Sequence, residues 1–307
     1  LVPGTGYLLR FQTEGETTIT GTPFYEVITT LNEGWNIISG ISESVTAEQI
    51  YSTGLVSEGT LYGYNGVYYL SDTVEPGVGY WARSNTGGEL TITNNGQTLR
   101  STNDFLTLLL EANKIEISSG GYSSSLYFGI EIDEENILNY SLPPLFEGID
   151  FDARFAGDSK VVTESGEIEV VNTTETLTLS YDILIEAGEH MNWILTSESG
   201  NDHILEGHGE ITVPTAERFV VKREPVIPTT FALHQNFPNP FNPVTTLRYD
   251  LPSDALVTLT IYDMLGKEIT QLVNTTQQVG FKSVQWDATD NTGRAVSAGV
   301  YLYQIEA

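Results

Sequence analysis

The sequence has no cysteine, and its 307 residues include only 13 lysines and arginines, four histidines and two methionines. Without cysteine there can be no disulfide, zinc–thiolate centre or thiol nucleophile, so the core must hold by packing alone. Against the few cations stand 41 acidic residues, giving a net charge of -28 and a pI near 4.2. A surface this anionic repels phosphate backbones and acidic lipid, which excludes both as partners. Long hydrophobic runs are lacking too. The longest clear one is "LTLLL", Leu106 to Leu110, far short of the ~20 residues of a spanning helix, so no membrane insertion is expected. The opening "LVPGTGYLLRF" has no basic start and no cleavage signature, so it does not read as a signal peptide.

What is present first is an internal repeat. "LVPGTGYLLRFQTEGETTITG" (Leu1 to Gly21) aligns without a gap on "VEPGVGYWARSNTGGELTITN" (Val74 to Asn94), with about half of the positions identical. Pro3, Gly4, Gly6, Tyr7 and Arg10 recur as Pro76, Gly77, Gly79, Tyr80 and Arg83. The second copy is preceded by "LNEGWNIISG" and "TLYGYNGVYYLSDT", and the first has no such partners. Residues 1–21 are therefore expected to be half of an incomplete repeat whose strand edges need covering, upstream or by a neighbouring subunit.

Residues 22–96 are expected to form a complete β module. From 97 to 222, two-residue alternation such as Leu177, Leu179, Tyr181 and Ile183 predicts a β-sandwich. Ser141 to Lys160, rich in proline and glycine, predicts a long crossing loop. A proline-bearing linker over 223–230 leads to a last β domain, 231–307, in which Val257, Leu259 and Ile261 alternate with threonines. Helical periodicity is weak everywhere; a turn at "TAEQIYS" with Thr46 as cap is the one candidate. The fold class predicted is all-β, with several sandwich or immunoglobulin-like domains in tandem.

The stretch "LHQNFPNPFNP" cannot be a central strand, because each proline deletes a backbone donor. Pro238, Pro240 and Pro243 are expected to hold it in a polyproline-like line. Asn236, Asn239 and Asn242 are expected to bond their own backbone, and Phe237 and Phe241 to anchor the stretch on the sandwich. Together with "IYDMLGKEI" and "WDATDNTGRAVSAGVY", these residues make the segment Phe231 to Ala307 resemble the type A C-terminal sorting domain of the type IX secretion system. It is similar also to the immunoglobulin-like domain of flagellar hook-capping proteins. The first resemblance implies export across the outer membrane to the cell surface by a translocon that reads this domain. Members of that family usually continue into a further strand beyond "GVYLYQI", where this sequence stops. The leading repeat resembles modules of large secreted surface proteins, which brings no defined ligand.

Catalytic motifs do not survive inspection. "GVGYWA" satisfies G-x-G-x-x-A but lacks a βαβ context. His203 and His208, near Asp202 and Glu206, match no helical zinc spacing. No cofactor is expected, the one alternative weighed being a structural calcium ion held by acidic loops, with Asp150, Asp152, Asp287 and Asp290 as candidates. Trp35, Tyr80 and Trp81 are the candidate sugar-stacking residues, against core packing as the plainer role. The chain thus reads as a non-catalytic, secreted structural or adhesive protein, self-associating by strand addition into a filament or surface layer. The alternative is a polysaccharide-binding accessory region of a larger hydrolase.

Overall fold

The computed structural model describes residues 2–7, 21–94, 104–172, 174–185 and 190–307. Arg10 and most of the first repeat copy lie outside the described residues. The chain divides into two compact units, Leu1–Ala187 with Trp193–Arg223, and Gly188–Asn192 with Glu224–Ala307. As its alternating sequence predicts, it is all-β: strands dominate, in several sheets.

The first unit opens with the module: β1 (Glu26–Leu31), β2 (Gly34–Ser39), β3 (Val45–Thr46), α1 (Ala47–Tyr51), β4 (Val56–Tyr64), β5 (Tyr68–Leu70), β6 (Thr73–Val74), β7 (Gly79–Ser84) and β8 (Gly88–Thr93). Antiparallel pairing gives a sheet in the order β2-β7-β4-β5, with β1-β8 and β3-β6 as two-stranded ribbons. Thr46 caps α1 in a capping box, its hydroxyl accepting from Gln49 N–H at 3.3 Å while Gln49 Oε1 accepts from Thr46 N–H at 3.0 Å. One face of the sheet closes a core of Ile38, Leu61, Tyr80 and Ala82 with Leu90 and Ile92 of β8 and Ile50 of α1.

The sandwich follows: α2 (Asp104–Glu111), β9 (Asn113–Ser119), β10 (Tyr122–Phe128), a 3-10 turn (Ile137–Tyr140), β11 (Asp152–Phe155), β12 (Val161–Val162), β13 (Gly166–Val171), β14 (Thr176–Asp182), β15 (Met191–Ser197), β16 (Asp202–Leu205), β17 (His208–Pro214) and β18 (Arg218–Pro225). Two five-stranded sheets result, β12-β10-β9-β14-β17 and β11-β13-β18-β15-β16. Ile115, Ile117, Leu177 and Leu179 of one sheet and Ile168, Trp193, Leu195 and Phe219 of the other are buried at alternate positions.

Three expectations need correction here. Helix α2 was not foreseen; Phe105, Leu109 and Ala112 fall at helical spacing and are buried together with Tyr140 and Val161, but eight residues give too short a period to stand out. Ser141–Lys160 is not simply a loop, because its Asp152–Phe155 pairs with β13 as a wholly buried strand. The connector before the last domain is shorter than 223–230, since β18 runs through Pro225.

The second face of the module's sheet carries Trp35, Tyr62 and Trp81, and the crossing segment of the sandwich packs its polar groups beside that face. Arg154, fully buried, donates from Nε and Nη2 to the two carboxylate oxygens of Asp152 at 2.6 and 2.9 Å, and from Nη1 to Asp158 at 2.6 Å and the Pro143 carbonyl at 2.7 Å. Lys160 Nζ donates to the Tyr62 hydroxyl at 3.1 Å, and the Tyr68 hydroxyl donates to the Pro144 carbonyl at 2.7 Å. Burial pushes the Lys160 ammonium down to about 8 and the Tyr62 phenol well up.

Two predictions follow from these buried groups. Unfolded lysine keeps its ordinary affinity for protons, so between about pH 8 and 10.5 the unfolded state binds more protons than the folded one and stability rises with pH, by on the order of 3 kcal/mol over the whole window. Lys160→Met should flatten that rise, read by urea titration between pH 8 and 10, and stabilise the protein at pH 7 by about 1–3 kcal/mol. Arg154→Met leaves the Asp152 carboxylate buried and unpaired and should cost about 3–5 kcal/mol in the same titration.

Candidate functional site

The second unit is built from β19 (Ala232–Leu233), β20 (Thr245–Leu251), β21 (Ala255–Tyr262), β22 (Glu268–Gln277), β23 (Gly280–Trp286) and β24 (Leu302–Glu306). These form two antiparallel three-stranded sheets, β19-β20-β23 and β22-β21-β24. Alternation in β20 and β21 sends Leu247, Tyr249, Leu251, Val257, Leu259 and Ile261 into the core with Trp286. Among the described residues β24 pairs only with β21.

The proline-rich stretch lies on this unit as a bent loop, with bends at 238–240 and 242–243, and not as the polyproline-like line expected of it. It begins at a bridge in which Phe237 and Thr246 exchange two backbone hydrogen bonds, at 3.0 and 2.9 Å. Polar side chains pin it from inside. Asn236 Nδ2 donates to Thr245 Oγ1 at 2.9 Å and to the Pro238 carbonyl at 3.4 Å, and Thr245 Oγ1 donates to that carbonyl at 2.9 Å. Asn239 Nδ2 reaches Asn236 Oδ1 at 3.3 Å. The Tyr303 hydroxyl joins the loop to β24: it accepts from Asn236 N–H at 3.2 Å and donates to the His234 carbonyl at 3.1 Å.

The two phenylalanines differ. Phe241 packs against Trp286 with centroids 5.5 Å apart, and Trp286 meets Tyr301 edge-on at 5.0 Å, so Phe241 is the anchor expected of it. Phe237 is 74% exposed and anchors nothing. Val300 and Leu302, in the stretch that enters β24, are also exposed, at 66% and 52%. A cavity of about 140 Å³ lies between the loop and that stretch, lined by Asn236, Asn239, Phe241, Trp286, Tyr301 and Leu302 among others and not by Phe237. Trp286, Val300, Tyr301, Leu302 and Tyr303 were not singled out from sequence as site residues. Only folding brings the 236–243 loop and the 300–303 stretch together.

The other candidates separate. Tyr80 is buried to 2% exposure in the module core, where its hydroxyl accepts from Glu75 N–H, so it does not stack a sugar. Trp35 and Trp81 share a sheet face but meet at 89°, edge to ring, and Trp35 meets Tyr62 at 62°, so they offer no flat platform. Asp152 is consumed by Arg154, and Asp150 is exposed beside it. Asp287 accepts from Thr289 Oγ1 at 2.6 Å. Asp290 accepts from the Thr292 hydroxyl and from the N–H groups of Thr292 and Arg294, which together hold its carboxyl below the usual range. No group of three or more potential metal ligands occurs among the described residues. No helix among them is long and apolar enough to cross a membrane.

A family model described as the FlgD Ig-like domain matches residues 243–307, so the C-terminal unit carries an immunoglobulin-like domain of the hook-capping type. The match starts at the last residue of the loop, leaving Asn236 to Asn242 outside it. No curated protein and no solved structure matches the chain significantly.

Because one hydroxyl serves both backbone groups of the lead-in, Tyr303→Phe should release Asn236 N–H and cost about 1 kcal/mol. Hydrogen exchange should then accelerate at Asn236, with the Leu247 and Leu259 amides of the core unchanged.

Proposed function

We propose that this chain is a non-catalytic structural protein of a bacterial surface, and that its C-terminal immunoglobulin-like unit is the docking element by which a type IX secretion translocon exports it. One observation carries the reading. The lead-in loop is pinned on the sandwich by a two-bond bridge and the Tyr303 hydroxyl, leaving the Phe237 ring exposed on the loop and Val300 and Leu302 exposed where the loop and the 300–303 stretch line a small cavity. Exposed apolar side chains on and beside a pinned loop suit a surface that is covered in a complex. Association between chains is taken to run by strand addition. The family match supports an assembly-type immunoglobulin domain, and the ring geometry at Trp35 and Trp81 gives nothing to the polysaccharide alternative.

The test is export of the full-length protein in a host that has the translocon, scored by protease accessibility at the surface of intact cells. Phe237→Asp combined with Leu302→Asp should cut surface exposure at least tenfold and leave folded protein in the periplasm. Export undiminished by the pair, or equal in a strain without the translocon, rejects the reading.

A further inference from the structure

The two copies of the repeat supply a matching plug and socket. Both fold into the same tight turn: Thr5 N–H donates to the Val2 carbonyl at 3.2 Å, and Val78 N–H to the Glu75 carbonyl at 3.3 Å. Gly4 and Gly77 take the left-handed φ values of +83° and +76° that this turn requires. The Tyr7 hydroxyl accepts from Val2 N–H at 3.2 Å, and the Tyr80 hydroxyl from Glu75 N–H at 3.2 Å. What differs is the surroundings. The first copy is seated on the outer edge of β2, with Gly6 N–H donating to the Ile37 carbonyl at 2.9 Å and Ser39 N–H to the Gly4 carbonyl at 3.1 Å. Gly4 is buried there. In the second copy Pro76, Gly77, Val78 and Gly79 are all exposed.

The glycines say which property belongs to the plug. A Cβ on Gly6 would fall on the Ile37 side chain and lie 2.6 Å from the Ile38 carbonyl, so seating demands glycine. A Cβ on Gly79 would meet the Ile37 side chain at 3.7 Å and the Gly6 and Tyr7 backbone of the seated copy at 3.8 Å, ordinary contacts that do not demand glycine. Gly79 nevertheless stands where Gly6 stands in the seated copy.

We propose that the outer edge of β2 is a socket for the Pro-Gly-x-Gly-Tyr turn, and that the exposed second turn, Pro76–Tyr80, fits the socket of a second copy of this chain. The plug and the socket are different surfaces, so the contact is heterologous and joins chains head to tail. Covalent tethering gives Val2–Tyr7 a high effective concentration at the socket of its own chain, which keeps the joint closed until that plug is displaced. The proposal rests on the structural reading above only in taking chains of this protein to be joined by strand addition.

Sedimentation velocity on the full chain tests it. Wild type should stay monomeric. Gly6→Val, which evicts the first plug, should at least double its weight-average mass as concentration rises. Adding Gly79→Ala, harmless in the module but disabling as a plug, should return it to monomer. Ser39→Pro should do the same by removing the socket's donor at an edge that tolerates proline. Should Gly6→Val fail a circular-dichroism check of folding, deletion of residues 1–7 opens the same socket and is read in the same way. Association that survives Gly79→Ala, or an opened socket that stays monomeric, overturns the joint. Filaments of native protein unaffected by Gly79→Ala would reject this joint while leaving the structural function standing.

Discussion

The first unit depends on a charged group that has no access to water. Arg154 is completely buried, and the donors of its planar fork need acceptors for that to be tolerable. Asp152 meets two of them in parallel, from Nε and Nη2, and Asp158 and the Pro143 carbonyl meet the two on Nη1. Burial alone would lower the guanidinium's proton affinity, but the two carboxylates outweigh it, so the net direction is upward. Such an arrangement adds little to stability compared with an apolar isostere, and its worth lies in geometry. It fixes the crossing segment, and that segment carries the Pro144 carbonyl and Lys160 to the tyrosines of the module's sheet. The module and the sandwich are thereby one compact body, although their sequences read as separate domains.

In the second unit the comparable constraint is aromatic. Trp286 closes the core at the end of β23, donates from Nε1 to the Thr289 carbonyl at 3.0 Å, and is met by Phe241 and Tyr301 on its rings. A tryptophan so placed needs a partner for its N–H and contacts for its large apolar area, and the loop after β23 supplies the first. The loop before β20 and the stretch before β24 supply the second. Phe237 and Leu302 stay outside this aromatic cluster, exposed at 74% and 52%.

Strand content and the inward-facing residues were legible in the sequence wherever one face of a strand meets solvent, as in β14 and β21, because period-two alternation records that environment directly. Thr46 announced its helix because capping chemistry is local. Helix α2 and strand β11 were hidden for opposite reasons. The first is only two turns long, and the second is buried on both faces, so neither displays a clean period. Asp152 looked like a metal ligand because its partner, Arg154, is two residues away and shares its face only in the folded strand. The candidate docking surface was half legible: the loop 236–243 stood out by composition, whereas Val300 to Tyr303 look like any strand entry and gain their role from the loop that folds against them.

The internal repeat shows how much a single missing atom can encode. Gly6 and Gly79 align in sequence, and sequence alone assigns them one role, that of tight-turn residues. The structure separates turn from seat. Gly4 and Gly77 carry the left-handed turn, and Gly6 and Gly79 do not. A glycine with an ordinary backbone angle is entropically unfavourable in a strand and is retained where another backbone must come close. At Gly6 that backbone is β2, in plain view. At Gly79 a Cβ would make only ordinary contacts, with Ile37 at 3.7 Å and with the Gly6 and Tyr7 backbone of the first copy at 3.8 Å, so it is the exposed turn ahead of it, and not a void at its Cα, that points to another molecule.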